Sequence, residues 1–152
     1  MGNLYLMCGI PGSGKSTYAK TNKDLRYCKY ISRDDIRYSL LKDGDDYFSK
    51  EKQVFRTFIA QINQAILQDR DIVVDATHIS RASRAKVLRN LEGRCHLDKI
   101  ICICMTTSVL TCLKRNAIRT GRARVPDKSI KEMAHSFERP CYDEGFDEII
   151  FV

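Results

Sequence analysis

The sequence holds no tryptophan, only three prolines and three histidines in 152 residues, and no apolar run longer than the six residues Ile100–Met105. A run of six excludes a membrane-spanning helix, which needs about 18 or more apolar residues. There is no C-x-x-C among the seven cysteines at 8, 28, 95, 102, 104, 112 and 141. That spacing argues against a zinc site and against a disulfide framework. The cysteines are expected to be small buried residues of a reducing compartment, and the protein cytoplasmic. Met1–Tyr5 carries no basic stretch of the kind that opens a signal peptide, and Leu6 stands where a myristoylation motif needs Ser or Thr. No membrane partner is expected. Repeats and low-complexity tracts are also missing. With 43% hydrophobic and 30% charged residues, the chain reads as one globular domain, 1–152.

Acidic residues are the scarcer charge, 19 against 26 basic, for a net +7. The excess is concentrated. Residues 78–94 hold five basic side chains and Glu92 alone; residues 114–124 hold five more and no acid. Clustered positive charge is the footprint of a polyanionic partner, either nucleic acid or phosphates.

Short apolar runs alternate with helical patterns. Residues 3–8, 27–32, 71–76, 97–105 and 148–152 read as strands. Residues 16–23, 34–41, 49–68, 80–91, 108–118 and 126–138 read as helices, the third with an apolar stripe at 54, 55, 58, 59, 62, 65 and 66. On the fourth, Ala82, Ala85, Leu88 and Leu91 are expected to face inward. This alternation predicts an α/β fold with a parallel sheet of about five strands and helices on both faces.

Gly9-Ile10-Pro11-Gly12-Ser13-Gly14-Lys15-Ser16-Thr17 satisfies G-x-x-x-x-G-K-[ST] between a strand and a helix. Glycines there let successive N–H groups turn toward a phosphate. Lys15 reaches the β- and γ-phosphates, and the Ser16 hydroxyl ligates Mg²⁺. The expected cofactors are therefore ATP and Mg²⁺, in a P-loop NTPase-type fold. Asp75 closes the central strand, where a carboxylate holds Mg²⁺ directly or through water; Thr77 and His78 follow it, within reach of a substrate. Arg33-Asp34-Asp35-Ile36-Arg37 follows the second strand. An Asp at that edge can take a proton from an attacking hydroxyl. Arg37 shares a helix face with Asp34 and can bind an acceptor phosphate. The segment 114–124, with Gly121 as a hinge and Pro126 restarting a helix, reads as a short basic lid.

In combination and order these motifs resemble the kinase module of the polynucleotide 5′-hydroxyl kinase family of phage, bacterial and animal end-healing enzymes. The similar elements are Gly9–Thr17, Arg33–Arg37, Asp75–His78, and Lys114-Arg115-Asn116 through Val125-Pro126. The run Phe137-Glu138-Arg139-Pro140 with Glu144-Gly145-Phe146 is similar to the tail of the animal enzymes. The resemblance implies that Lys15 and Ser16 bind ATP and Mg²⁺, that Asp34 is the general base on a 5′-OH, and that Arg37 holds an acceptor 3′-phosphate. It makes Arg115 and Arg119 lid arginines over the nucleotide phosphates, with Arg119 catalytic. His78 departs from the family, where the phage pattern has Asn. No D-x-D-x-T occurs, so a fused phosphatase is not implied.

The leading expectation is an ATP-dependent kinase acting on the 5′-OH of DNA or RNA, with the basic 81–94 helix and the lid holding the strand. A kinase of a nucleoside or other small metabolite is the alternative of the same chemistry. An ATP-binding module without transferase activity is the alternative of a different class.

Overall fold

A computed structural model describes all of residues 1–152. Five strands, β1 (Gly2–Cys8), β2 (Lys29–Ser32), β3 (Ile72–Asp75), β4 (Leu97–Cys104) and β5 (Glu148–Phe151), form one sheet in the order β2-β3-β1-β4-β5. Every pairing is parallel, with Leu4 opposite Ile72 and Ile100, and Ser32 opposite Asp75. The helices are α1 (Lys15–Thr21), α2 (Arg33–Leu40), α3 (Glu51–Leu67), α4 (Arg81–Arg89), α5 (Val109–Ala117) and α6 (Asp127–His135).

Side-chain alternation splits the sheet into two faces. Leu4, Leu6, Cys8, Ile72, Val74, Cys102 and Cys104 pack with Val54, Phe58, Ile62 and Ile66 of α3 and Val87 and Leu88 of α4. Met7, Val73, Ile101 and Ile103 face the other way, onto Ala19 of α1 and Leu25. Helices on both faces bury both sides, which is why the strands read as continuous apolar runs. The apolar stripe of α3 is buried as its spacing requires. Truncating Phe58, which has no exposed surface, would cost about 3–5 kcal/mol. All seven cysteines are free thiols. No helix is long and apolar enough to cross a membrane.

Two local readings change. The inward face of α4 is Arg84, Val87 and Leu88, followed by Leu91, while Ala82 is exposed. The periodicity was offset because one core position is an arginine. Helix α6 stops at His135, three residues short, because Glu138 N donates to Ile79 O at 2.8 Å and draws the chain out of the helix.

Side-chain oxygens cap three helices that point at the sheet's C-terminal edge. Ser32 accepts from Asp35 N, Ser80 from Ser83 N, and Ser108 from Thr111 N. Such caps are worth about 1 kcal/mol each and fix where each helix starts. The chain leaves β1 first to one side of the sheet and later to the other. In open α/β sheets ligands bind in the crevice this leaves at the strand C-termini.

Candidate active site

The loop after β1 is shaped by backbone that only glycine tolerates. Gly12 has φ 82°, and a Cβ there would stand 2.7 Å from Cys112 O. Gly14 has φ 94° and opens α1. Gly9 N donates to Thr77 O at 2.9 Å, and the Thr107 hydroxyl donates to Ser13 O at 2.7 Å, so loops from β3 and β4 hold the turn. Lys15 Nζ donates to Gly9 O and Ile10 O at 2.9 and 3.1 Å, which ties the ammonium to the loop. Pro11 is half-buried and Thr17 exposed on α1. Burial lowers the Lys15 pKa, Asp75 and Asp34 pull it back up, and Arg119 pushes it down.

The Ser16 hydroxyl donates to Asp75 Oδ2 at 2.6 Å, and the Tyr30 hydroxyl donates to the same oxygen. Burial, and then the Asp75 charge, raise the Tyr30 pKa, so this phenol stays a donor. Two hard oxygens from β3 and α1 suit Mg²⁺, which takes one or two protein oxygens and completes its shell with phosphates and water. Ser13 Oγ is buried in the loop without a hydrogen-bond partner. An orphaned hydroxyl in such a cradle fits a phosphate oxygen.

On the opposite side stands Asp34, with its side chain 60% exposed. Arg37 Nη1 donates to Asp34 Oδ1 at 2.6 Å and the Tyr47 hydroxyl donates to it at 3.0 Å. Both bonds fall on one oxygen and leave Oδ2 without a hydrogen bond. Arg37 is buried and also gripped by Glu51, through Nε at 3.2 Å and Nη2 at 2.9 Å, while its guanidinium lies 4.5 Å from the Tyr47 ring centre. Burial alone would lower the Arg37 pKa; the Glu51 bonds and the neighbouring charges of Glu51 and Asp34 together outweigh it, and the net shift is upward. Arg37 is thus bound on three sides, by Asp34, Tyr47 and Glu51.

The lid runs from the end of α5 through a short 3₁₀ turn, Gly121–Ala123, to α6. Arg115 Nη1 donates to Gly12 O at 3.3 Å, which places it on the phosphate loop. Arg119 is exposed just beyond α5. The lid reaches α2 and the loop after it, with Tyr38 OH donating to Arg122 O and Arg122 Nη2 donating to Lys42 O. Fully buried Asn116 bonds Val125 on both its N–H and its C=O, at 3.0 and 2.6 Å, and so closes the lid on itself.

Two expected contacts are corrected. His78 is buried with φ 44°; its Nδ1 lies 2.7 Å from Met7 O. Burial drops its pKa to about 4. Its ring is buried rather than presented at the surface of the loop. Thr77 serves through its backbone carbonyl on Gly9. Arg84 is not on a nucleic-acid surface either. It has no exposed side-chain area, donates to Glu144 through Nε at 2.7 Å and Nη2 at 3.0 Å, and donates to His78 O at 2.9 Å. Charge counting cannot distinguish a solvated arginine from one whose carboxylate lies 60 residues away.

Tyr30, Tyr47 and Glu51 are not singled out by the sequence, and Asn116 appears there only within the Lys114-Arg115-Asn116 motif. Only Asn116 left a sequence signal, as a polar residue on the apolar stripe 109–112–113–116 of α5. The other three are ordinary residues until the fold brings them together.

The fold and this loop define a P-loop α/β protein of kinase type. Residues 4–140 match the AAA domain family (AAA_33), and the chain belongs to it. It is 29% identical over 147 residues, 88% of the chain, to an Autographa californica nuclear polyhedrosis virus protein provisionally named bifunctional polynucleotide kinase/RNA ligase. The chain spans about a fifth (20%) of that relative's length. Among solved structures it is similar to a chain of the Pnkp1/Rnl/Hen1 RNA repair complex, with TM-score 0.73, 22% identity, and coverage of 89% of this chain and 43% of that one. A sugar kinase from Janibacter sp. HTCC2649 shares the fold at TM-score 0.68 and 15% identity, covering 100% of this chain and 84% of its own.

Proposed function

We propose that this chain transfers the γ-phosphoryl group of ATP to a hydroxyl, and that the acceptor is the 5′-OH of a polynucleotide. The observation that carries the reading is Asp34, a carboxylate held on one oxygen by Arg37 and Tyr47 at the start of α2, on the same edge of the sheet as the phosphate loop. The identity to the viral relative supports the choice of acceptor.

Asp34 Oδ2 accepts the proton of the attacking hydroxyl as its oxygen bonds the γ-phosphorus and the bond from that phosphorus to the β–γ oxygen breaks, releasing ADP. Arg37 and Tyr47 fix the carboxylate's rotamer, so that its geometry is set before substrate arrives. Lys15 and the loop N–H groups hold the β- and γ-phosphates, and the Ser13 hydroxyl gains an acceptor. Ser16 and Asp75 would hold Mg²⁺, which would supply positive charge to offset that of the nucleotide phosphates. Arg115 and Arg119 bring positive charge onto the transferring group as the lid closes.

The test is labelled γ-phosphate transfer from ATP, screened against 5′-OH oligonucleotides, nucleosides and small alcohols including sugars. Transfer to the oligonucleotide 5′ end is the expected result. Preference for a sugar or nucleoside would overturn the choice of acceptor, and no transfer to any alcohol would overturn the kinase reading.

A further inference from the structure

An open groove of about 350 Å³ runs between α3 and α4. Its charged lining is Arg33, Lys52, Arg56 and Lys86 against Glu51 alone, over an apolar floor of Phe55 and Ile59. Glu51 is already engaged by Arg33 and by Arg37. No carboxylate lies within ion-pairing distance of Lys52, Arg56 or Lys86. The Phe55 ring holds two of the cations, with Lys86 Nζ 4.2 Å and the Arg33 guanidinium 5.4 Å from its centre. Arg33 Nε is buried and without a partner. None of the phosphate-loop residues lines this groove.

Its position relates it to the proposed acceptor site. Arg33 adjoins Asp34 in the chain, and Glu51 binds both Arg33 and Arg37, so the groove begins where the hydroxyl would be activated. From there it follows α3 from Glu51 to Ile59, about 12 Å at helical rise. That is the stacked length of about three nucleotides of one strand.

The geometry points to this groove as the track for the phosphodiester backbone of a single-stranded acceptor, downstream of its 5′-terminal nucleotide. This rests on the reading of Asp34 as the acceptor-side carboxylate. Lys52, Arg56, Lys86 and Arg33 Nε meet successive phosphates, and the floor beneath them excludes water. An acidic peptide would find the same charges, but nothing in a peptide needs the neighbouring phosphotransfer site. The groove makes the chain selective for a polymer over a mononucleotide, because only a polymer extends past Asp34 into it.

The test pairs binding with turnover. A 3′-labelled 5′-OH hexathymidylate is titrated by fluorescence anisotropy at several salt concentrations against the wild type and the Lys52→Glu/Arg56→Glu pair. Melting temperature is followed to show that the variant is folded, and the Lys52→Ala/Arg56→Ala pair serves as the milder version. The expected result is at least tenfold weaker binding by the reversed pair. The slope of log affinity against log salt should be shallower by about 1.4, two phosphates at about 0.7 each. In transfer assays the advantage of hexathymidylate over thymidine 3′-monophosphate should collapse in the same variant. Equal binding and equal slope in wild type and variant would overturn the groove. If the monophosphate is then still phosphorylated, the kinase reading stands without it. If binding responds as expected but neither acceptor is phosphorylated, the groove stands and the kinase reading falls.

Discussion

Removing the Glu144 carboxylate tests how the phosphate loop is supported. Arg84 has no exposed side-chain surface and Glu144 has 4%; they share two hydrogen bonds of 2.7 and 3.0 Å, and the third Arg84 nitrogen donates to His78 O. Taking two charges out of water is costly, and this pair repays the cost only because both partners are present. Glu144→Ala leaves a buried guanidinium with one carbonyl for company. Breaking such a pair from one side costs about 3–5 kcal/mol. For a chain of this size each kcal/mol moves Tm by about 2–4 °C, so a fall of about 6–20 °C is expected. Thermal melting followed by circular dichroism reads it. The double variant Arg84→Met/Glu144→Leu should recover most of the loss, since replacing both charges by apolar groups is close to neutral. A Tm change under about 3 °C for Glu144→Ala would refute the buried bridge.

Three further outcomes follow from the site. Lys15→Ala should fold normally and lose transfer by on the order of 10²–10³-fold, the usual cost of one pre-organised charge at a developing anion; near-normal turnover in a steady-state assay would remove the loop from the chemistry. Arg119→Ala should lower kcat by about 10²-fold with little change in Tm, because the lid carries few core contacts; an unfolded variant would make this arginine structural. His78 has a folded pKa near 4 against an ordinary 6.5, so below pH 6.5 the unfolded chain binds a proton that the folded one refuses. Its contribution to stability is complete above pH 6.5 and lost as pH falls toward 4, with about 2 kcal/mol gone by pH 5. Urea unfolding of wild type and His78→Asn at pH 7 and pH 5 should show that this part of the slope vanishes in the variant.

What could be read from the sequence was local. The phosphate loop is nine consecutive residues, and the strands announce themselves because a parallel sheet covered on both faces needs unbroken apolar runs. The stripe of α3 and the start of α5 at Ser108 lie within a few residues of what they organise. What could not be read was long-range pairing. Arg37 and Glu51 are 14 apart, Arg84 and Glu144 60 apart, and Tyr30 and Asp75 45 apart. Composition showed where positive charge is dense but not which cations face inward. Arg84 therefore went to a surface it does not reach, while Lys52 and Arg56, outside both dense segments, line the charged groove.

The account turns on one carboxylate, and the most direct measurement is transfer of labelled γ-phosphate from ATP to a 5′-OH oligonucleotide by Asp34→Asn and Asp35→Asn, with ATP binding measured alongside. Asp34→Asn keeps the geometry of the Arg37 and Tyr47 contacts but cannot take a proton. Asp35 gives its backbone N–H to Ser32 and makes no side-chain bond at the site. Asp34→Asn is expected to bind ATP like the wild type and to lose transfer by about 10²–10⁴-fold, while Asp35→Asn stays close to wild type. Full transfer by Asp34→Asn, or the larger loss in Asp35→Asn, would contradict it.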